Sequence, residues 1–192
     1  LVGDGDVTGH GLPAGVIMLM AQTAMLTLSQ NGEQNMERLL SVINQVLYRN
    51  ILRIQENKTM TFAVLHYQQQ RFELVGQHES MLICRNNGQV EVIDTLDLGF
   101  PIGLEYEIDD FLATTHFTLA AGDVMLLYTD GVTEAERSDG QQFGLTRLIN
   151  ALSRYHQLPA KAIMEQTIND VHDFIDGQTI YDDISVLVVK QR

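Results

Sequence analysis

The chain has 192 residues, of which 45% are apolar, so it is long and apolar enough to bury a core as one domain. Its 12 basic residues are outnumbered by 25 acidic ones, and the net charge of −13 excludes a basic surface for nucleic acid. The single cysteine, Cys84, excludes an intramolecular disulfide and a thiolate metal cluster, which suits a reducing compartment.

Hydrophobic periodicity predicts two helices near the start of the chain. Apolar residues recur at helical spacing over residues 12–30 and again over 33–55, and Asn31-Gly32 separates the two runs. Such a short connection predicts antiparallel neighbours. The apolar stretch 16–28 is shorter than the ~20 residues that span a bilayer, so it predicts a core helix and no insertion into a membrane.

Strands with a period of two follow these helices. They are predicted at 60–65, 72–75, 81–84, 90–93, 116–119, 124–128 and 184–189, with further helices at 144–155 and 159–175. Asn86-Asn87-Gly88 predicts a type I′ turn, and the middle strands are expected to form an antiparallel meander around turns such as Ala121-Gly122-Asp123. Helices and strands are segregated along the chain, which predicts an α+β class.

Three aspartates stand beside turns next to strongly apolar strands: Asp6, Asp130 and Asp182. Carboxylates at buried strand ends cost free energy, because desolvation and mutual repulsion oppose ionisation, and a hard divalent cation offsets that cost. A water that bridges two such ions has a lowered pKa and attacks phosphorus without a protein nucleophile. Taken singly, each aspartate also fits ordinary turn chemistry. A calcium loop starting at Asp4 is excluded, because Gly15 occupies the position of its bidentate Glu.

Six blocks, in order, carry a resemblance to a known family. They are Asp6-Val7-Thr8-Gly9-His10-Gly11 with Pro13-Ala14, Gly76-Gln77-His78-Glu79, Gly99-Phe100-Pro101-Ile102-Gly103, Gly122-Asp123 continuing to Tyr128-Thr129-Asp130-Gly131-Val132-Thr133-Glu134-Ala135, Phe143-Gly144, and Asp182-Asp183-Ile184-Ser185. Together they resemble the SpoIIE/RsbU-like branch of the PP2C (PPM) protein phosphatases over essentially the whole chain. The block from Tyr128 to Ala135 is the most specific of the six.

The resemblance implies a four-layer α-β-β-α sandwich of two antiparallel sheets flanked by helices. It also implies a site with two Mn²⁺ or Mg²⁺ ions that hydrolyses phosphoserine or phosphothreonine on a protein. Carried over by position, Asp6 bridges the ions, Val7 offers its carbonyl, and Asp130 and Asp182 complete the coordination. Asp183 is then an orienting group or a further ligand, and Gly9, His10 and Gly11 contact the substrate. Asp4 competes with Asp6 for the bridging role, although the register of Gly9-His10-Gly11 favours Asp6.

The chain departs from the family pattern at its start. Family members begin with a further hairpin that carries another acidic residue, and this hairpin precedes the point where the present sequence begins. Leu1-Val2-Gly3 shows no initiator Met or signal region, so the expectation is a single domain, 1–192, forming the C-terminal output of a longer signalling protein. Either the given sequence omits this hairpin or the protein is truncated, and a truncated protein is expected to hold one metal ion weakly, lose an outer strand and fall short of full activity.

By analogy with the family, the substrate is expected to be a phosphorylated anti-sigma-factor antagonist or similar STAS-type partner in the bacterial cytoplasm. An upstream sensor or receiver domain is expected to regulate the chain, and Met18, Met20 and Met25 on the first helix suit either a homodimer interface or simple core filling. His10 is open to a general-acid role or a positional one, and His78 is interpreted as structural. The main alternative function is a pseudo-phosphatase that binds a phosphoprotein without turnover.

Overall fold

The computed structural model describes residues 1–178 and 182–192, which fall into two compact units. The first unit comprises Leu1–His78 and Thr95–Thr118, and the second comprises Glu79–Asp94 and Leu119–Arg192. In chain order the regular elements are β1 (Val2–Val7), α1 (Leu12–Gln30), α2 (Met36–Ile54), β2 (Met60–Gln68), β3 (Arg71–Gln77), β4 (Met81–Cys84), β5 (Val90–Ile93), β6 (Thr114–Phe117), β7 (Val124–Tyr128), α3 (Asp130–Thr133), α4 (Gly144–Tyr155), α5 (Ala160–Ile175) and β8 (Val186–Lys190).

The first unit is an antiparallel sheet in the order β1-β2-β3-β6, with α1 and α2 packed on one face. Helix α2 begins after Asn35, whose side chain accepts a hydrogen bond from the Arg38 N–H at 2.7 Å, and its apolar face is fully buried. The buried Asn44 amide bonds the carbonyls of Glu105 and Tyr106 and accepts from the Gly103 N–H. These bonds hold the loop that follows Gly99 against the helix.

The second unit is an antiparallel sheet in the order β5-β4-β7-β8, covered by α4 and α5. All five residues of β7 are buried, as the unbroken apolar run predicts for a central strand. Arg85 bridges the buried carboxylate of Asp123 at 2.9 Å and that of Glu91 at 2.7 Å. The ion pair between Arg85 and Asp123 connects the hairpin of β4 and β5 to the loop before β7.

Most predicted elements are confirmed, including the bounds of α1, α4, β4, β5 and β7. The α+β class, with two antiparallel sheets and segregated helices, is confirmed as well. The predicted meander is wrong, because β4 does not pair with β3, and β6 pairs with neither β5 nor β7. Strand β6 pairs with β3 in the first unit, and β7 pairs with β4 in the second. The loop between β6 and β7 instead bonds the end of the chain. The Gly122 N–H donates to the Gln191 carbonyl, and the Gln191 N–H donates to the Asp123 carbonyl.

The predicted type I′ turn at Asn86-Asn87-Gly88 is also wrong. Only Gly88 has a positive φ, of 86°, and its N–H bonds the Arg85 carbonyl, so the hairpin closes by a type I turn with a glycine bulge. Positive φ values at both central residues occur instead at Gln69 and Gln70, between the paired residues Gln68 and Arg71. Two glutamines therefore occupy the turn that glycine and asparagine favour.

Candidate active site

Asp6 and Val7 are the last two residues of β1 and pair with Thr61 and Met60 of β2. Val7 is only 7% exposed and belongs to the apolar core, so it anchors the end of the strand. Beyond it, the Thr8 N–H donates to the Thr59 carbonyl at 2.9 Å, which extends the pairing by one residue. Backbone pairing therefore continues past Asp6, the predicted bridging ligand, and holds the end of β1 in place.

The loop Gly9-His10-Gly11 is exposed and leads directly into α1. Gly9 and Gly11 have φ values of 73° and 89°, which only glycine adopts without strain. Lys58, which the sequence analysis did not single out, donates to the Thr8 carbonyl at 2.7 Å. Its ammonium group would lie 3.0 Å from a Cβ added at Gly9. A cation and the free N–H groups at the start of α1 thus lie beside this loop, and both favour an anion.

Asp130 follows β7 after one intervening residue, Thr129, and is the first residue of the short helix α3. One of its carboxylate oxygens accepts the Gly131 N–H at 2.9 Å. The neighbouring Thr129 hydroxyl donates to the Asp183 carbonyl at 2.7 Å and accepts from the Ser185 N–H at 3.0 Å. The residue after β7 is thereby tied to the segment that precedes β8.

Asp182 and Asp183 are exposed and lie in this segment before β8. A Cβ added at Gly131 would stand 2.5 Å from the Asp183 carbonyl oxygen, so the two backbones are in very close approach. Among residues 1–178 and 182–192, none of the ion pairs involves Asp130, Asp182 or Asp183. The second unit therefore brings the backbone of Gly131 next to that of Asp182 and Asp183, and the described residues supply no ion-pair partner for the three carboxylates.

The side-chain chemistry of these aspartates fits Mg²⁺ or Mn²⁺, because both ions prefer oxygen ligands and tolerate few protein contacts. Asp6 belongs to the first unit, whereas Asp130 and Asp182 belong to the second. Within the described part of the chain, no group of three or more His, Cys, Asp or Glu side chains forms a ready metal site. Coordination by Asp6, Val7, Asp130, Asp182 and Asp183 thus stays a prediction, as do the substrate contacts of Gly9, His10 and Gly11.

Asp4 lies two residues before Asp6 on the same strand and faces a histidine. His78 Nε2 is 3.9 Å from an Asp4 carboxylate oxygen, and the His78 side chain is only 4% exposed. Burial raises the pKa of Asp4 above its usual range, and the charge of His78 opposes that rise. No local sequence pattern predicts this pair, because the two residues are brought together only by strand pairing.

Helix α1 differs from its prediction as a core helix. Only Ile17 and Ala21 are buried, while Leu19 and Leu26 are more than half exposed. By length and composition this helix, with a mean hydropathy of 1.5, is apolar enough to cross a membrane, a criterion that core helices and signal sequences also meet. Absence of membrane insertion therefore stays a prediction. One face of α1 packs against the core, and elsewhere on the helix Leu12, Met18, Leu19 and Leu26 are at least half exposed.

Comparison with known proteins identifies the family. The family model for Stage II sporulation protein E (SpoIIE) matches residues 2–192. Phosphoserine phosphatase RsbU of Bacillus subtilis (strain 168) is 24% identical over 193 residues, which are 97% of this chain and 54% of that protein. The chain thus spans about half the length of this curated relative.

Two solved structures show the same fold. The PP2C domain of SiaA from Pseudomonas aeruginosa is 18% identical, with a TM-score of 0.81 over 99% of this chain and 75% of its own. The catalytic domain of the serine/threonine protein phosphatase PstP, solved with two manganese ions, is 17% identical, with a TM-score of 0.67 over 97% of this chain and 85% of its own. The PP2C-like fold class predicted from the sequence is confirmed by these likenesses. The chain belongs to the SpoIIE family, within the SpoIIE/RsbU-like branch of PP2C-type proteins.

Proposed function

We propose that the chain is a metal-dependent protein serine/threonine phosphatase that hydrolyses phosphoserine or phosphothreonine on a partner protein. The observation that carries the proposal is the close approach of Asp130-Gly131 to Asp182-Asp183, whose carboxylates form no ion pair with any described cationic side chain. Membership of the SpoIIE family supports it, because the relative RsbU is named a phosphoserine phosphatase.

In this proposal, Asp6, Asp130 and Asp182 bind two Mn²⁺ or Mg²⁺ ions, with the Val7 carbonyl and Asp183 as further ligands or orienting groups. When bound, the ions lower the pKa of a water molecule and neutralise charge on the phosphoryl oxygens. Hydrogen bonds from Thr129 and Ser185 fix the backbone that carries Asp182 and Asp183. The chain thereby orients the ligands before the substrate arrives, which reduces the reorganisation needed during reaction.

The exposed loop Gly9-His10-Gly11 is proposed to bind the substrate phosphate. His10 is solvent-accessible, and the Lys58 ammonium group beside Gly9 adds positive charge at the start of α1. These groups suit a phosphoryl dianion, since helix N-termini and ammonium groups both favour negative charge. His10 additionally has the donor chemistry of a general acid for the leaving serine oxygen.

The biological setting remains part of the proposal. We expect a phosphorylated STAS-type anti-sigma-factor antagonist as the substrate, an upstream sensor or receiver domain in the same polypeptide, and a location in the bacterial cytoplasm. The exposed apolar side chains of α1, including Met18 and Leu19, support a regulatory contact by this helix, and a homodimer is one form of that contact. Sedimentation of the chain across a range of concentrations measures whether it dimerises.

A second candidate function is a phosphoprotein-binding module without turnover. The absence of a ready three-residue metal cluster among residues 1–178 and 182–192 is the observation that favours it. Both candidates use the same phosphate-binding loop, so binding of a phosphoprotein does not separate them. Turnover does.

Manganese-dependent hydrolysis of para-nitrophenyl phosphate tests the proposed function. We expect the parent chain to turn over and Asp130→Asn to lose about 100-fold or more in kcat, because a lost metal ligand removes several kcal/mol of transition-state stabilisation. Asp139→Asn is the matched control, since Asp139 is an exposed aspartate of the same unit that pairs with Arg137 and accepts the Gln141 N–H. Absence of manganese-dependent turnover in the parent would refute the phosphatase and favour the binding module.

A further inference from the structure

The imidazole of His78 is buried next to the strand that carries Asp6. Its Nδ1 lies 2.9 Å from the Thr61 hydroxyl, whereas its Nε2 has no hydrogen-bond partner among the described residues. One oxygen of the Asp4 carboxylate lies 3.9 Å from Nε2. A buried ring nitrogen therefore points towards a carboxylate that lies two residues before the predicted metal ligand.

Strand register explains why these side chains meet. Asp6 pairs with Thr61 and Asp4 pairs with Ala63, so both aspartates project from the sheet face opposite α1 and α2. Ala63 in turn pairs with Gly76. His78 lies two residues beyond Gly76, and one oxygen of the Asp4 carboxylate comes within 3.9 Å of its Nε2.

Hydrogen bonds hold His78 in place. The backbone N–H of His78 donates to the Thr95 hydroxyl at 3.0 Å, and that hydroxyl donates back to the backbone carbonyl of His78. The Thr61 hydroxyl carries one proton and has two acceptors, His78 Nδ1 at 2.9 Å and the Asp6 carbonyl at 3.5 Å. When Thr61 donates to Nδ1, which is the shorter of these two contacts, the ring proton sits on Nε2, facing Asp4.

We propose that His78 is a positioning residue that holds the Asp4 carboxylate as an outer-shell acceptor for water on the cation that Asp6 binds. The inference rests on the proposed function. Asp4 and Asp6 are separated by about 7 Å along an extended strand, which suits contact through water better than shared direct coordination. Mn²⁺ and Mg²⁺ keep several waters when bound to proteins, and groups that hydrogen-bond this outer shell tune metal affinity.

Calorimetric titration of the metal-free chain with MnCl₂ tests the inference without relying on activity. His78→Asn keeps a polar group near Thr61 but removes the donor that faces Asp4, so we expect Mn²⁺ binding to weaken about 10- to 100-fold. His78→Gln places an amide donor near the position of Nε2, and we expect its affinity to stay within about threefold of the parent. His66→Asn is the matched control, because His66 lies in β2 on the opposite face of the same sheet.

Coupling to Asp4 separates positioning from a general structural role. Asp4→Asn is expected to weaken Mn²⁺ binding as much as His78→Asn, and the double variant to bind no more weakly than either single variant. Losses that add, a parent-like affinity in His78→Asn, or an equal loss in His66→Asn would each overturn the inference. If His78→Asn fails to fold by circular dichroism, Asp4→Asn carries the test, since it preserves shape at a partly exposed site.

Asp6→Asn distinguishes failure of this inference from failure of the proposed function. If Asp6→Asn binds Mn²⁺ as the parent does, the proposed metal centre is wrong and His78 has no cation to serve. If Asp6→Asn loses binding while Asp4→Asn and His78→Asn keep it, the metal centre stands and only the role of His78 is overturned. The ¹⁵N spectrum of the imidazole gives an independent check, because the inference requires a proton on Nε2 rather than Nδ1.

Discussion

Replacing Gly131 with alanine tests how closely the Asp130 turn must approach the segment before β8. The added Cβ would lie 2.5 Å from the Asp183 carbonyl oxygen, whereas ordinary contact begins at 3.4 Å, so the two segments must separate by about 0.9 Å. The opposing atoms are backbone, so no side-chain rotation relieves the clash. Overpacking of this kind costs about 1–3 kcal/mol, and a ~1 Å displacement of catalytic groups costs about 100-fold in rate.

Thermal unfolding and manganese-dependent phosphatase assays measure both effects. For a chain of this size, we expect Gly131→Ala to lower Tm by roughly 2–12 °C and kcat/KM by about 100-fold. Gly15→Ala is the control, because its Cβ meets nothing within 4 Å in α1 and alanine favours a helix by roughly 0.5–1 kcal/mol. A Gly131→Ala chain with the Tm and activity of the parent would refute the close approach of these segments.

Three further predictions concern the scaffold. Burial alone would raise the pKa of Asp123, but hydrogen bonds from Arg85 and two backbone N–H groups outweigh it and lower the pKa below its usual value. This carboxylate therefore stabilises the fold above pH ~4 and loses that effect as pH falls through its folded-state pKa. In urea titrations at a series of acidic pH values, the free energy of unfolding of Asp123→Asn should fall less steeply with decreasing pH than that of the parent. An unchanged pH dependence would contradict the lowered pKa of Asp123. Burial raises the pKa of Cys84 to about 11, so Ellman's reagent at pH 8 should label it only after unfolding, and rapid labelling of folded protein would show the thiol to be accessible. Gln69→Asn with Gln70→Gly should raise Tm by roughly 2–4 °C per kcal/mol gained, since both glutamines have positive φ, and a lower Tm would contradict the turn assignment.

The sequence predicts elements well where one local pattern decides the outcome. The bounds of α1 and α4 follow from helical periodicity, and the hairpin of β4 and β5 follows from two short apolar runs around a polar turn. The predicted type of the turn between β4 and β5 was wrong, because an Asn-Gly sequence permits more than one turn geometry. Here Asp123 accepts the Asn86 N–H at 2.9 Å, a contact from 37 residues away that no local pattern predicts.

Pairing partners and the surroundings of the site depend on distant contacts. Strands β6 and β7 are adjacent in sequence but join different sheets, because apolar alternation does not specify the neighbour of a strand. The close approach of the Asp130 and Asp182 segments depends on a single strand pair. Strands β7 and β8 pair antiparallel, so the end of β7 must meet the start of β8. Lys58 and the His78–Asp4 pair were missed because only the register of β1, β2 and β3 brings them beside the Asp6 strand.

The most direct test of the metal-dependent mechanism is anomalous diffraction at the manganese edge from crystals of the chain grown with MnCl₂. The proposed function predicts two manganese peaks shared by the carboxylates of Asp6, Asp130 and Asp182. Carboxylates of these three residues that lie far apart, with no manganese between them, would contradict it.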